Sequence, residues 1–228
     1  MQNNLTKKEI ENLCKWAKEF QIKYLDSEEK ILNIKELEID YYSNPEEIKY
    51  FPKEIFKLAS LESFCIRNCD NIKRSFKKNI KNIGKLINLK KLEISSWNMK
   101  TLPKEIFNLS NLESLDINCC SLKKLPTGIS ALAKLKTLKF TYCQDLINVE
   151  KVYKDIFNLE NLENIRLIYF NRFEGLYKKL NDLDNIKNIE LEFDFDEFEF
   201  PKEILELSKL KTLDISSKKI EKKNCLRK

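Results

Sequence analysis

The chain contains no histidine among its 228 residues. Histidine is the commonest general base and the commonest metal ligand in proteins, so a catalytic triad or a metal centre built on imidazole is excluded. Glycine is also scarce, with three residues in all, and no glycine-rich loop that could cradle a phosphate group can be assembled from them. Because the sequence shows no recognisable set of catalytic residues, we expect a protein that is not an enzyme and that uses neither a cofactor nor a metal.

Long apolar runs are missing as well. No stretch approaches the roughly 20 apolar residues of a membrane-spanning helix, and the N-terminal stretch "MQNNLTKKEIENL" lacks the apolar core of a secretory signal. The cytoplasm is therefore the expected location, with no membrane partner, although a protein exported without a signal peptide would show the same features. Seven cysteines, an odd number, argue against a disulfide framework in that compartment.

A short apolar pattern recurs along the whole chain. It is clearest in "LESLDI", residues 112–117, and it has the form L-x-x-L-x-L. Eight copies begin at residues 34, 61, 89, 112, 135, 162, 186 and 210. Each copy therefore marks one structural unit, and stacking of neighbouring units is needed to bury its apolar side chains.

A second block precedes most of these cores. Examples are "FPKEIFKLASL", "LPKEIFNLSNL" and "FPKEILELSKL". Together the two blocks resemble the leucine-rich repeat family, in its intracellular, bacterial type with about 23 residues per repeat. The resemblance implies an α/β fold: a curved solenoid with a parallel β-sheet of about eight short strands on its concave side, helical or 3-10 turns on its convex side and an N-terminal capping helix.

The spacing of the residues agrees with that fold. The fourth and sixth positions of each core are two residues apart and so point to one face of a strand. Ile106 and Leu109 are three residues apart and share one face of a helical turn, which Pro103 can begin without losing a needed N–H. The side chains predicted to be buried on one side of the sheet are Leu37, Ile39, Leu92, Ile94, Leu115, Ile117, Leu138, Leu167, Leu191, Leu213 and Ile215.

The N-terminal end is predicted to differ from the repeats. Residues 6–22 have the apolar periodicity of a helix, and Thr6 and Glu9 have the spacing of a capping box. We therefore predict that residues 1–24 form a helical cap that covers the first repeat.

The whole chain, residues 1–228, is predicted to form a single domain. Residues 25–220 hold about eight repeats, and residues 221–228 form a basic tail. The tail looks too short and too polar to cover the eighth strand. An uncovered strand edge invites pairing with another chain, so a weak homodimer through this C-terminal edge is an open alternative.

Three cysteines occupy the ninth position of their cores, namely Cys69, Cys120 and Cys143. In the family this position is asparagine or cysteine with an inward side chain, so the resemblance implies that these thiols are buried and inert. Cys65 and Cys119, at the fifth and eighth positions, are predicted to face the concave side instead. Since neighbouring residues on a strand point to opposite sides, we expect no convergence of these cysteines into a zinc site.

The segment "LEFDFDEFEFPKE", residues 191–203, alternates phenylalanine with acidic residues. We interpret it as a connection with inward rings and solvated carboxylates. The alternative is a cation site, but the segment lacks the glycine and the ligand spacing of a calcium loop. Its ligands would be Asp194, Asp196, Glu197 and Glu199.

Function is expected at the exposed positions of the sheet. The fifth position is acidic in the third and fourth repeats, basic in the fifth and sixth, and acidic again in the last two. At the eighth position Tyr142, Tyr169 and Phe193 follow one another, and a strand spacing of about 4.8 Å would bring their rings into one patch. Such side chains are typical of binding hot spots, but the rings could instead pack on one another as part of the core. The predicted protein-binding residues are Lys139, Tyr142, Arg166, Ile168, Tyr169, Phe193, Glu93 and Asp116.

These features, with the resemblance, predict a non-enzymatic module that recognises an unidentified partner protein through its concave face. No small-molecule substrate is expected. The alternative is binding to a nucleic acid or another anionic surface through the lysines, which a steep loss of affinity with salt would identify. The 42 basic residues are nearly balanced by 36 acidic ones, which argues against this alternative.

Overall fold

The computed structural model describes residues 5–40, 48, 50–68, 76, 78–96, 99–119, 121–143, 145–147, 149–168, 183–193, 202–217 and 220–227. Within them the strands form one sheet in sequence order, and β1 to β8 run parallel. The strands are β1 Glu36–Asp40, β2 Ser63–Arg67, β3 Lys91–Ser95, β4 Ser114–Asn118, β5 Thr137–Thr141, β6 Asn164–Ile168, β7 Asn188–Phe193, β8 Thr212–Ser217 and β9 Ile220–Arg227. The α-helices are α1 Lys7–Glu19, α2 Glu28–Asn33 and α3 Val149–Ile156.

The repeat determines the register of the sheet. Equivalent positions of successive cores lie side by side, for example Leu92 beside Leu115 and Leu115 beside Leu138. The fourth and sixth core positions therefore form continuous rows on one face of the sheet. All eleven side chains predicted to be buried there are at most 7% exposed. The predicted leucine-rich-repeat solenoid, with eight parallel strands in one open sheet, is thus confirmed.

The predicted N-terminal helix and its capping box are present. The N–H of Glu9 donates to Thr6 Oγ1 at 3.3 Å, and the N–H of Thr6 donates to Glu9 Oε2 at 3.0 Å. Trp16 is fully buried, and its Nε1 donates to the carbonyl of Tyr50 at 3.0 Å. Glu9 also pairs with Lys57 Nζ at 2.6 Å. These contacts fasten α1 to the segment that follows β1.

Short helical turns carry the chain from one strand to the next. Pro103 directly precedes one of these turns, as predicted, and Pro52 holds the same place in an earlier repeat. Proline suits this place because its fixed φ fits a helical start and its missing N–H is not needed there. Besides α3, the turns are the 3-10 helices Lys53–Lys57, Ile80–Lys85, Lys104–Asn108, Ile129–Ala131 and Lys202–Glu206.

The C-terminal segment corrects one prediction. β9 runs antiparallel to β8, with Thr212 beside Arg227 at one end and Ser217 beside Ile220 at the other. The edge of β8 is therefore covered, and a homodimer through that edge loses its premise. A covering strand needs only backbone N–H and C=O groups, which an eight-residue segment supplies even when its sequence is polar.

A ladder of asparagines runs along the solenoid, at the residue before each of several cores. Each side chain donates from Nδ2 to a backbone carbonyl of the preceding repeat, at 2.6–2.8 Å. The ladder satisfies carbonyls of the turns that the strands leave unpaired. The donor and acceptor residues are Asn88 and Ala59, Asn111 and Ile87, Asn161 and Ala133, and Asn185 and Glu160.

Candidate functional site

The third residue of every strand from β1 to β8 lies on the face of the sheet opposite the core. We call these residues the sheet row; they are Glu38, Cys65, Glu93, Asp116, Lys139, Arg166, Glu190 and Asp214. The register places each residue beside the next, on strands about 4.8 Å apart. The change of sign that the sequence shows at the fifth core position is therefore a property of the folded surface.

Two cations lie side by side at the middle of the sheet row. Lys139 on β5 is the register partner of Arg166 on β6. Lys139 Nζ lies 3.7 Å from Asp116 Oδ2, and Arg166 Nη2 lies 3.1 Å from Glu190 Oε1. The Nε atom of Arg166 is buried and has no hydrogen-bond partner among the described residues. The cation pair therefore has hydrogen-bonding capacity that the described part of the chain leaves unused.

The cation pair lines a shallow concavity of about 370 Å³ that crosses β5 to β8. Four polar side chains line the same concavity and bind one another in series. Asn164 Nδ2 donates to Thr137 Oγ1 at 3.1 Å, and Asn188 Nδ2 donates to Asn164 Oδ1. Thr212 Oγ1 completes the series by donating to Asn188 Oδ1 at 2.6 Å. The lining is thus held in place before any ligand arrives.

The members of this polar series are not among the residues predicted to bind a partner. They occupy the third core position, which is polar in all eight repeats. That uniform polarity is the signal that could have found them, because a strand position that is never apolar faces water or a ligand. The third-position residues are Glu36, Ser63, Lys91, Ser114, Thr137, Asn164, Asn188 and Thr212.

The first part of the sheet row is occupied by an ion-pair cluster. Arg67 on β2 donates from Nε and Nη2 to the two carboxylate oxygens of Glu93, at 2.6 and 3.0 Å, and it also pairs with Glu38. Burial opposes ionisation of Glu93, but the hydrogen bonds and the charge of Arg67 outweigh it and lower the pKa of Glu93 overall. Glu93, a predicted binding residue, is therefore already engaged within the chain.

Asp116 shows the opposite balance. Burial raises the pKa of this carboxyl, and the negative charge of Glu93 adds to the rise. Lys139, at 3.7 Å, favours the charged form but does not compensate for burial. The ionised form of Asp116 is therefore less stable in the folded chain than it would be in water.

A second charged row lies at the beginning of the strands. We call it the pre-strand row; it consists of the residue before each of β1 to β8, namely Lys35, Glu62, Lys90, Glu113, Lys136, Glu163, Lys187 and Lys211. Its signs alternate up to the last residue, and four neighbouring pairs lie 2.6–2.9 Å apart. Hydrogen bonds from Lys35, and to a smaller extent from Lys90, lower the pKa of Glu62 to about 2. Most lysines of this row are thus neutralised by the chain itself.

The predicted aromatic patch is described only in part. Tyr142 is 39% exposed and has a left-handed backbone conformation, with φ of 55°. Ile168, at the end of β6, is only 5% exposed, so it can pack beneath a binding surface but offers little area for contact with a partner. Tyr169 lies outside the described residues, as does the side chain of Phe193. Stacking of the three rings therefore stays a prediction.

Among the cysteines of the described residues, Cys119 lies elsewhere than predicted. Cys143 is fully buried, as predicted, whereas Cys69 and Cys120 lie outside the described residues. Cys119, which the sequence placed on the concave side, is fully buried in the core.

The chain turns inward one residue earlier after β4 than after β5, which explains the burial of Cys119. The carbonyl of Cys119 accepts from the N–H of Leu122 at 3.2 Å, just as the carbonyl of Cys143 accepts from the N–H of Leu146 at 3.2 Å. Cys119 and Cys143 thus hold equivalent places in their turns. After β5 an additional residue, Tyr142, lies between the strand and the turn and takes up the extra length through its left-handed conformation.

We expect the thiols of Cys119, Cys143 and Cys65 to react slowly with iodoacetamide in the native protein. The first two are fully buried, and burial together with the charge of Glu93 raises the pKa of Cys65 to about 12, which leaves little thiolate at neutral pH. Mass spectrometry of labelled peptides, with and without denaturant, measures the difference. Native labelling of Cys143 at the rate seen in denaturant would contradict its place in the core.

Two further features are absent from the described residues. No helix there has both the length and the apolar character needed to cross a membrane. In the same part of the chain, no three acidic or cysteine side chains come close enough together to hold a metal ion. The segment of the alternative cation site, residues 194–199, lies outside that part.

Comparison with known proteins agrees with the architecture. A family profile described as "Leucine-rich repeat region" matches residues 50–223, which is more than half of the chain. No curated protein sequence matches the chain.

Several solved structures are similar to the chain. One is a leucine-rich repeat protein of Leptospira interrogans, with 21% identity over 80% of this chain and a TM-score of 0.40. Another is internalin C2 of Listeria monocytogenes, with 15% identity, a TM-score of 0.49, and coverage of 90% of this chain and 92% of that one. A plant peptide hormone receptor, RGFR1 in complex with RGF2, is 18% identical over 81% of this chain, with a TM-score of 0.43. The chain spans 60% of the Leptospira protein and 31% of the plant receptor. On the match of residues 50–223, the chain belongs to the leucine-rich repeat family, whose members are in general protein-interaction modules and are typically not enzymes.

Proposed function

We propose that the chain binds a partner protein through the exposed sheet face of β5 to β8, with Lys139 and Arg166 at the centre. The observation that supports this most directly is the state of the Arg166 guanidinium. One of its nitrogens pairs with Glu190 at 3.1 Å, while its Nε is buried without a partner in the described residues. A buried donor left without an acceptor is destabilising. The Arg166 side chain as a whole is 42% exposed, so a partner whose acceptor draws the guanidinium outward would relieve that cost and gain more than an ordinary surface contact.

The surroundings favour a strong contact at this point. The polar series beside Arg166 is already ordered by its own hydrogen bonds, so less conformational freedom remains to be lost on binding. Arginine and tyrosine are enriched among residues that dominate binding energy, and Tyr142 follows β5 on the same sheet. Tyr169 and Phe193 remain proposed members of the surface. Glu93 and Ile168, which are engaged or buried within the chain, are proposed to support it.

The alternative of an anionic ligand, such as a nucleic acid, finds less support. The lysines of the pre-strand row are largely paired with glutamates at 2.6–2.9 Å. The cation pair of the sheet row is flanked by Asp116 on one side and Glu190 on the other. A phosphate backbone would meet these carboxylates as well as the cations, and their repulsion would offset part of the attraction.

Arg166→Ala is expected to weaken the affinity for the partner by about 2 kcal/mol, as truncation of a hot spot does. The partner would first be captured from a native cell lysate with the wild-type chain and identified, and binding of the purified partner would then be measured by calorimetry. The stability of the variant should be close to that of the wild type, because the side chain is 42% exposed.

Lys104→Ala serves as the control for this measurement, since Lys104 is exposed in a turn on the opposite side of the repeats. It should change the affinity little, because exposed charges contribute weakly. Equal affinities of the Arg166 and Lys104 variants would show that the partner binds elsewhere. If Arg166→Ala instead unfolded the protein and left the affinity of the folded fraction unchanged, Arg166 would be a structural residue.

A further inference from the structure

The two charged rows of the sheet follow different rules. In the pre-strand row the signs alternate from Lys35 to Lys187, and four of the neighbouring pairs are close ion pairs. In the sheet row like charges come in doublets: the register pairs Lys139 with Arg166 and then Glu190 with Asp214. In the doublet before them, Glu93 is bound closely by Arg67, whereas Asp116 has only the longer contact with Lys139.

Alternation is the arrangement that stabilises a sheet, because like charges directly opposite each other on neighbouring strands repel. The pre-strand row shows that alternation over successive repeats is available to this chain. An exchange of Asp116 and Lys139 would give the sheet row alternating signs from Glu93 to Glu190 with no change in net charge. The doublets are therefore imposed neither by the repeat nor by the composition of the chain.

The doublets also carry signs of internal conflict. The Lys139–Asp116 pair is long, at 3.7 Å, compared with 2.6–2.9 Å in the pre-strand row. Burial raises the pKa of Asp116, and Arg166 Nε lacks a partner among the described residues. Violations of a local rule that the same chain obeys elsewhere are expected at functional sites, where a ligand relieves them.

We propose that the doublets are the complement of the partner: a protein segment whose acidic residues meet Lys139 and Arg166, and whose basic residues lie on both sides of them. This inference rests on the proposed function, because it describes the partner of the same sheet face. A carboxylate of that segment pairs with the exposed part of the Arg166 side chain, and its basic residues meet Asp116 on one side and the Glu190–Asp214 doublet on the other.

The dimensions of the row define a probe for this pattern. Two strand spacings separate one doublet from the next, which is about 10 Å, and three residues of an extended chain cover the same distance. The probe is a fluorescent synthetic peptide with, in this order, two lysines, one serine, two glutamates, one serine and two lysines. Because neighbouring residues of an extended chain point to opposite sides, doubling each charge ensures that one side chain of each pair faces the row. Two peptides serve as controls: the charge-inverted peptide, and an isomer of the probe in which the same residues are reordered to break up the doublets.

Fluorescence anisotropy in about 0.15 M salt, where general electrostatic attraction is screened, compares the three peptides. We expect the probe to bind the wild-type chain at least tenfold more tightly than either control. The expected order of affinities is the reverse of what net charge alone would give, because a chain with a net charge of +6 would attract the charge-inverted, anionic peptide more strongly. Equal binding of probe and isomer, tighter binding of the inverted peptide, or no binding of any peptide would overturn the proposal.

Three variants locate the effect. Arg166→Gln should weaken binding of the probe at least tenfold, whereas Lys136→Gln, which removes the same charge from the pre-strand row, should leave it unchanged. The double exchange Asp116→Lys with Lys139→Asp should abolish the preference for the probe while the melting temperature stays at or above that of the wild type. An Arg166→Gln variant that binds the probe as the wild type does would overturn the proposal.

The failure of this inference can be told apart from the failure of the proposed function. If the captured partner depends on Arg166 but the peptides are not discriminated, the sheet face binds protein by something other than its doublets. If the captured partner does not depend on Arg166, the proposed function itself is overturned.

Discussion

Trp16→Ala is expected to lower the free energy of unfolding by about 3–5 kcal/mol. The indole is fully buried, lies 6.2 Å from the ring of Phe20 between centroids, and donates to the carbonyl of Tyr50. Truncation would leave a large cavity and would remove the donor of that carbonyl. Because each repeat of a solenoid is supported only by its neighbours, loosening the cap also exposes the apolar end of the first repeat.

Urea unfolding followed by circular dichroism would measure this loss, with two variants for comparison. Trp16→Phe retains most of the apolar volume but not the hydrogen bond, so an intermediate loss is expected. Lys15→Ala changes the exposed neighbour on α1 and should shift the midpoint little. If Trp16→Ala unfolded at the same urea concentration as Lys15→Ala, α1 would be an appendage and not a cap.

The solenoid could be predicted because its information is repeated. Each core places apolar residues at two positions that are two residues apart, which is the pattern of a strand with one buried face. The register follows as well, since only one alignment brings Leu92, Leu115 and Leu138 together on the core side. A single copy would have been ambiguous, but eight copies at similar spacing left one consistent architecture.

The turns after the strands could not be predicted in the same way. Whether the chain turns inward directly after a strand or one residue later goes with the backbone conformation of the residue that follows the strand. Tyr142 takes the left-handed conformation, which is uncommon for a residue other than glycine, and no sequence pattern announced it. The position of Cys119 was wrong for this reason: counting from the core assumed one geometry for every repeat.

The candidate site was predictable in its signs but not in its pairing. The sequence showed acidic, basic and acidic segments along the fifth positions, and the register makes them a surface. That Arg67 would bind Glu93, and that no described residue would do the same for Arg166 Nε, depends on which side chains reach one another across strands. These pairings depend on three-dimensional packing, so they cannot be predicted by counting positions along the sequence.

Leu115→Ala is expected to lower the free energy of unfolding by about 2–5 kcal/mol. Leu115 is 1% exposed on β4, and the register places it between Leu92 and Leu138. Its row continues on both sides, so the neighbouring strands cannot close over the missing atoms without leaving their own register. A cavity would therefore remain in the middle of the core, and its volume adds to the lost transfer free energy.

Leu205→Ala provides the matched control, because it removes the same atoms from a leucine that is 45% exposed in the turn before β8. Its loss should be well under half that of Leu115→Ala, since exposed atoms gain little on folding. Urea unfolding of both variants beside the wild type decides the matter. Losses of equal size would mean that the fourth core positions do not form one continuous apolar row, and the register that also aligns the charged doublets would then be wrong.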